Sequence, residues 1–353
     1  MAPFLYRFYM KTNNSHISSI YALKKEDFLE KYGKFAKPFH YNCLSSWLKK
    51  GVSDFKDMTN LPEGLVLALE NDYGKPILSK VLLKSEEVDS TKLLLELFDR
   101  EKIECVLLKN EGGEYTACLS SEVGCSMKCE FCATGTLGLK RQLSWIEILE
   151  QYFHLLHLHS KIDRIVFMGM GEPLSNTDEV IKAIRYFKDE REMSPRRITV
   201  STSGIPGGIR TLADSKLGVK LAVSLVSAND VLRSKLMKSN RLYPLSELKK
   251  ALLYFKDHNR SRIALEYCIL HDLNTTLKSA SELKAFTSDL IVSVNLIPWN
   301  RIEALPFESP TRDEIQHFTK ELKRLNVPYT IRISRGRDTN AACGMLVAKN
   351  SKE

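Results

Sequence analysis

The chain has 353 residues, of which 43% are hydrophobic and 27% charged. That is the make-up of a soluble globular protein with one large domain or two to three smaller ones. No run reaches the roughly 18 apolar residues of a membrane span, and Met1-Ala-Pro-Phe-Leu-Tyr-Arg7 is too short and interrupted for a secretory signal. A cytoplasmic protein with no membrane partner is therefore expected, and its eight cysteines read as chemistry rather than as a disulfide scaffold. The net charge of +9 suits a nucleic-acid partner without requiring one.

Residues 20–70 read mostly as short helices. Lys25-Glu-Asp-Phe-Leu-Glu-Lys-Tyr32 has apolar spacing on one helical face. Pro38 starts a second helix, with Tyr41, Leu44, Trp47 and Leu48 at three- and four-residue intervals, and Leu61-Pro62 begins a third. Lys34, Lys37, Lys49, Lys50 and Lys56 give this segment either a plain solvated surface or an RNA-binding one. Residues 1–88 are expected to be a helical, RNA-binding accessory domain, 89–348 the main domain, and 349–353 a frayed tail.

Strand-like runs follow at 92–97, 103–108 and 115–120, the last two separated by a Gly112-Gly113 turn. Strands are next expected at 164–168, 197–201, 221–225, 263–269 and 291–296. Helices are expected between them at 146–158, 178–188, 205–213, 245–257 and 277–288, and a helix at 312–325 and a strand at 329–333 close the chain. Short apolar strands alternating with longer helices imply βαβ units and a parallel sheet. About six units are too few for a closed eight-stranded barrel, so the expected fold is α/β, a partial (β/α)6 barrel with an N-terminal strand extension.

Between the first two parallel strands lies Cys125-Ser-Met-Lys-Cys129-Glu-Phe-Cys132. Thiolates are soft ligands that select zinc, copper(I) or iron–sulfur clusters. A closed zinc site wants four ligands; three thiolates on a four-iron cluster leave one iron open to a substrate or cofactor. A zinc knuckle that borrows a distant ligand is the other reading. Further polar motifs fall at the carboxyl ends of the expected strands, where such sheets carry their sites. These are Gly169-Met-Gly171-Glu172-Pro173, Ser201, Ser224 and Asn295. Cys118 ends the strand before the cysteine loop, and Cys343, between Ala and Gly after the final strand, has the approach a nucleophile needs. Cys43, Cys105 and Cys268 read as buried hydrophobes. His154, His157 and His159 read as a helix face rather than a metal site.

The C-x3-C-x2-C spacing with Phe131 before the third cysteine resembles the signature of radical S-adenosylmethionine enzymes. With Leu119-Ser-Ser-Glu-Val-Gly-Cys125, Gly169-Met-Gly-Glu-Pro-Leu174, Ser194-Pro-Arg-Arg-Ile-Thr-Val-Ser-Thr-Ser-Gly204 and Ala341-Ala-Cys-Gly344, the chain resembles the RlmN/Cfr family of RNA adenine methyltransferases over residues 20–348. The resemblance implies a [4Fe-4S] cluster on Cys125, Cys129 and Cys132, and S-adenosylmethionine contacts at Gly171, Glu172, Ser201, Ser224 and Asn295. It implies methylation of adenine C2 in large-subunit ribosomal RNA and in tRNA by a monomer, with a flavodoxin or ferredoxin as electron donor. By the same resemblance Cys343 is methylated and carries the methyl carbon to the base, Glu104 removes the ring proton, and Cys118 releases the product, leaving a Cys118–Cys343 disulfide.

Three positions depart from the family pattern: Val226 stands where the family has His, Asn340 where it has Asp, and Met345 where it has Gln. Pro173 matches the C2 branch rather than the C8 branch. The rival readings are C8 methylation by the same chemistry, and a cluster- or zinc-bearing RNA-binding protein without turnover.

Overall fold

The structure is a computed structural model that describes residues 19–259, 261–332 and 344–347. The chain divides into two compact units, Met1–Leu78 and Ser79–Glu353.

In the first unit three helices, α1 (Lys25–Tyr32), α2 (Pro38–Lys49) and α3 (Glu63–Tyr73), match the expected apolar spacing. Pro38 opens α2 at a position where its missing N–H has no helical partner to lose. The apolar faces meet in a core that includes Phe28, Tyr32, Leu44, Leu48, Phe55, Leu65 and Leu69. Lys34, Lys37, Lys50 and Lys56 are exposed and Lys49 is half-buried.

The second unit is built on one ten-stranded sheet. Strands β1 (Lys80–Glu86), β2 (Ser90–Glu96), β3 (Lys102–Lys109) and β4 (Tyr115–Cys118) form an antiparallel meander. A two-stranded ribbon, β5 (Glu122–Gly124) and β6 (Leu139–Gln142), stands apart from that sheet. From β4 the main sheet continues in parallel through β7 (Arg164–Phe167), β8 (Ile198–Thr202), β9 (Lys220–Ser224), β10 (Ile263–Ile269), β11 (Val292–Pro298) and β12 (Tyr329–Ile331). The crossovers carry α4 (Trp145–Leu158), α5 (Thr177–Asp189), α6 (Pro206–Asp214), α7 (Asp230–Leu236), α8 (Leu245–His258), α9 (Leu277–Thr287) and α10 (Arg312–Arg324).

The parallel strands lie in space in the order they occur in the chain. Neighbouring crossover helices pack side by side, α4 on α5, α5 on α6, α6 on α8 and α9 on α10. One direction of winding with one helical layer is the barrel arrangement, in contrast to the doubly wound sheet with helices on both faces. β1 and β12 stay at opposite edges, so the barrel is partial. The strands alternate with period two: Ile198, Val200 and Thr202 of β8 and Val292, Val294 and Leu296 of β11 are buried, while Thr199, Ser201, Ser293 and Asn295 are half-buried on the other face.

Four of these strands and helices were not among those expected. β1 adds an edge strand within 80–86, a segment the sequence reading gave to the helical domain. The β5–β6 ribbon and α7 are too short, at 3, 4 and 7 residues, to show a period.

Candidate active site

The cysteine loop is the connection between the two strands of the β5–β6 ribbon. Gly124 pairs with Leu139, and the Cys125 N–H donates to the Gly138 carbonyl at 2.9 Å, closing the base of the loop. Gly124 sits at φ +78°, and a Cβ there would lie 1.8 Å from the Gly138 oxygen, so only glycine fits. Cys125 is buried, and Cys129 and Cys132 are half-buried; all three are thiols rather than disulfides. An apolar cluster of Val226, Leu236, Met237, Leu270 and Trp299 packs on Cys129 and Phe131, and the Trp299 indole N–H donates to the Phe131 carbonyl at 2.8 Å. Burial, with Glu122, Cys132 and Glu172 nearby, pushes the Cys125 thiol up to about 12. Burial and the other two thiols raise Cys129 as well.

The Gly169–Pro173 turn sits beside this loop. Gly171 has φ +100°, and a Cβ would fall 2.6 Å from Glu122 Cβ. The glycine thus lets the turn lie flat on β5. Glu172 is buried and accepts the Ser203 N–H at 2.6 Å and the Leu174 N–H at 3.0 Å. The Glu172 N–H in turn donates to Glu122 Oε2 at 2.9 Å, and the Ser175 hydroxyl donates to Glu122 Oε1. Burial raises both carboxyls above their ordinary range, and for Glu122 the charge of Glu172 adds to it. Two buried carboxylates beside a cysteine loop suit a cationic group.

Arg233 of α7 fixes the neighbouring strand ends from below. It is 0% exposed. Its guanidinium donates to the Leu225 carbonyl (3.0 Å), Asn240 Oδ1 (2.6 Å), the Ser203 carbonyl (2.6 Å) and the Ser224 carbonyl (3.2 Å). It therefore ties the end of β9 to the residue whose N–H holds Glu172.

Glu104 of β3 is 2% exposed. Its Oε1 pairs with Lys92 Nζ at 2.9 Å, and its Oε2 accepts the Val347 N–H at 2.8 Å. The Ser120 hydroxyl donates to the Glu104 carbonyl (2.6 Å) and accepts the Met170 N–H (2.8 Å), joining β3 to the Gly169–Pro173 turn. Cys118 is buried on β4 opposite Val106, hence on the face of Glu104. Cys343 lies outside the described residues. The segment that follows it bonds both halves of the site. The Ala133 N–H donates to the Gly344 carbonyl at 2.8 Å, the Thr134 hydroxyl donates to the Leu346 carbonyl at 2.7 Å, and Val347 bonds Glu104.

A cleft of about 970 Å³ runs along the inner face of the parallel sheet and reaches Cys118, Glu266 and Asn295. Arg164, Arg196, Lys216, Lys220, Arg262 and Arg332 line it, and Glu266 is the one carboxylate among the described lining residues. Ser201 and Ser224 are half-buried on β8 and β9; Glu104 is not among the lining residues. Of the departures, Asn340 lies outside the described residues and Met345 is buried. Val226 has φ +60°, an outlier for a β-branched residue, and its carbonyl accepts the Asn274 side chain at 2.9 Å. Sequence reasoning missed Glu122, Arg233, Ser120, Gln151 and Glu266. Gln151, buried on α4, pairs with both the N–H and the carbonyl of Ser120. The histidine group stays structural: His154 bonds the Ser79 hydroxyl at 3.0 Å, and burial holds its ring near pKa 4. His159 stacks on Tyr115 at 3.6 Å.

Residues 120–276 match the radical SAM superfamily. A Treponema pallidum protein named probable dual-specificity RNA methyltransferase RlmN is 41% identical over 323 residues, spanning 90% of this chain and 94% of its own length. A protein of the same name from Carboxydothermus hydrogenoformans is 42% identical over 318 residues, spanning 89% and 93%. The chain belongs to the RlmN family. The crystal structure of a radical SAM methyltransferase from Sphaerobacter thermophilus superposes with a TM-score of 0.88 at 33% identity, covering 94% of this chain and 99% of that one. Family membership favours a cluster over a zinc knuckle, and the donor set agrees. Buried thiols that disfavour their own ionisation suit a cationic centre that neutralises them, and three thiolates leave one iron of a [4Fe-4S] cluster open.

Proposed function

We propose that the protein is a radical S-adenosylmethionine methyltransferase that adds a methyl group to adenine C2 in large-subunit ribosomal RNA and in tRNA. The observation that carries this reading is the meeting of three groups in one site: the C-x3-C-x2-C loop, the buried Glu172 turn, and the chain that follows Cys343, bonded at once to that loop and to Glu104.

Cys125, Cys129 and Cys132 would hold a [4Fe-4S] cluster, whose chemistry with bound S-adenosylmethionine would be to supply an adenosyl radical. Glu172, fixed by Ser203 and Leu174, receives the ammonium group of S-adenosylmethionine. The Ser201, Ser224 and Asn295 side chains present polar groups to its remainder. Cys343 would carry the methyl carbon as a thioether; that carbon gives one hydrogen atom to the adenosyl radical and bonds adenine C2, and the surplus electron would return to the cluster. Glu104, held by Lys92 and Val347, takes the C2 proton. The Cys118 thiolate attacks the Cys343 sulfur and breaks its bond to carbon; that carbon takes up a proton to become the methyl group, the methylated base leaves, and a Cys118–Cys343 disulfide remains for an external reductant. The apolar wall around Cys129 and Phe131 keeps water from the reacting groups. The net charge of +9 suits a polyphosphate substrate, so binding should weaken steeply with salt. The relatives named RlmN favour C2 over C8.

The test is anaerobic reconstitution with iron and sulfide, followed by reductant, S-adenosylmethionine and ribosomal RNA. The expected result is 5′-deoxyadenosine formation by the wild type and none by Cys125→Ser, which also takes up less iron. An intact cluster in the wild type with S-adenosylmethionine uncleaved in the presence of RNA would return the protein to the binding-protein reading.

A further inference from the structure

Glu266 carries no role in the chemistry above, yet it lines the cleft. It pairs in register with Ser224 on β9 and with Asn295 on β11, and Asn295 pairs with Thr330 on β12. These four residues form a polar row across the parallel sheet. Three of the four are bonded in turn: the Thr330 hydroxyl donates to Asn295 Oδ1 (2.7 Å), and Asn295 Nδ2 donates to Glu266 Oε1 (3.0 Å). Arg332 Nη1 also approaches Oε1, at 3.4 Å. Every one of these donors to the Glu266 side chain goes to the same oxygen. The other, Oε2, is buried and has no hydrogen-bond partner among the described residues.

Glu266 is 7% exposed. A buried acceptor without a donor is costly and is ordinarily satisfied. Burial raises the carboxyl in spite of the nearby Arg332, as expected of a group missing a donor. The residue lines the cleft together with Cys118 and Asn295. A carboxylate level with the carboxyl end of a parallel strand is a recurrent receptor for ribose hydroxyls. Here that level is the last residue of β9, Ser224.

We infer that Oε2 of Glu266 accepts a ribose hydroxyl of an adenosine unit bound in the cleft, with Asn295, Thr330 and Arg332 orienting the carboxylate. The inference rests on the proposed function, in which S-adenosylmethionine reaches Asn295 and the RNA adenosine reaches Cys118, both of which line the cleft. Both ligands carry the same hydroxyls, and the experiment separates them.

Dissociation constants of the cluster-loaded protein are measured for S-adenosylhomocysteine, for its 2′-deoxy and 3′-deoxy forms, and for an RNA stem-loop with adenosine or 2′-deoxyadenosine at the target position. Losing a hydrogen bond to a charged group weakens binding about tenfold or more. The wild type is expected to discriminate by that factor against one deoxy form of S-adenosylhomocysteine. Glu266→Gln is expected to bind the parent compound as weakly as the wild type binds that deoxy form, with no further loss on removing the hydroxyl. Discrimination seen only in the RNA pair, and lost in Glu266→Gln, assigns the hydroxyl to the RNA. A wild type that binds all of these ligands and discriminates in neither series overturns the assignment, even if the variant does not fold. A wild type that binds neither S-adenosylhomocysteine nor RNA overturns the underlying reading as well.

Discussion

Replacing Glu172 with Gln separates the binding role of its charge from its place in the fold. The wild-type carboxylate accepts two backbone donors, from Ser203 at 2.6 Å and Leu174 at 3.0 Å. The Gln amide oxygen can keep one of them; its NH2 then faces the other N–H, which loses its acceptor at about 1–3 kcal/mol. Against this, a carboxylate whose burial already disfavours its charged form is gone, and removing a poorly solvated charge recovers free energy of similar size. Stability should therefore change by no more than about 2 kcal/mol. The ligand contact has no such offset. A hydrogen bond to a charged group contributes about 1.5–3 kcal/mol, and about 1.4 kcal/mol is tenfold in affinity. The variant should therefore bind S-adenosylmethionine roughly 10- to 150-fold more weakly. Equilibrium dialysis with cluster-loaded protein measures this, with 5′-methylthioadenosine as control, since it lacks the amino-acid moiety and should bind both proteins alike. Unchanged S-adenosylmethionine affinity in a folded variant, or equal weakening of both ligands, would refute the assignment of the ammonium to Glu172.

The same carboxylate gives a pH dependence of defined sign. Its pKa is raised in the folded chain, so above the ordinary carboxylate range the folded state holds a proton that the unfolded state has released, and stability falls as pH rises through that window. Denaturant unfolding of ligand-free protein should show the wild type losing ground to Glu172→Gln as pH rises above the ordinary carboxylate range, while S-adenosylmethionine binding to the wild type strengthens over the same rise; a pH-independent difference would contradict the shift. Arg233→Met takes a donor from three carbonyls and from Asn240 Oδ1, and should lower unfolding stability by about 1–3 kcal/mol for each acceptor left unsatisfied. An unchanged denaturation midpoint would remove Arg233 from the framework of the site. Cys118→Ala cannot release the thioether and should accumulate a covalent protein–RNA adduct, visible as a mass shift on denaturing gels. Full turnover by that variant would end its resolving role.

Much of this arrangement is legible in the residues themselves. Short Val-, Ile- and Leu-rich runs between helical periods give the parallel strands, and the period-two pattern puts Ser201 and Asn295 on the cleft face. Cys125, Cys129, Cys132 and Glu172 are legible because their chemistry is written in contiguous motifs. The residues that escaped are of another kind. Arg233 sits in the 7-residue helix Asp230–Leu236 among Ser234 and Lys235, where a charge ordinarily faces solvent; only the folded chain brings the Ser203, Ser224 and Leu225 carbonyls around it. Glu122 lies beyond the expected strand 115–120, and only the folded chain lays the Gly171 turn on it. Glu266 did carry a signal, a carboxylate inside the apolar run Ile263–Ile269, a buried strand that tolerates a charge only with a purpose. The β5–β6 ribbon was invisible because its pairing is set by the closed loop between its strands, not by any pattern within them.

The central claim is the chemistry on the base. Its most direct measurement is nucleoside mass spectrometry of ribosomal RNA and tRNA after anaerobic reaction with the reconstituted protein, reductant and S-adenosylmethionine, read against 2-methyladenosine and 8-methyladenosine standards. The expected product is 2-methyladenosine from the wild type and none from Cys125→Ser. A product that is 8-methyladenosine, or RNA left unmethylated while S-adenosylmethionine is cleaved, would contradict it.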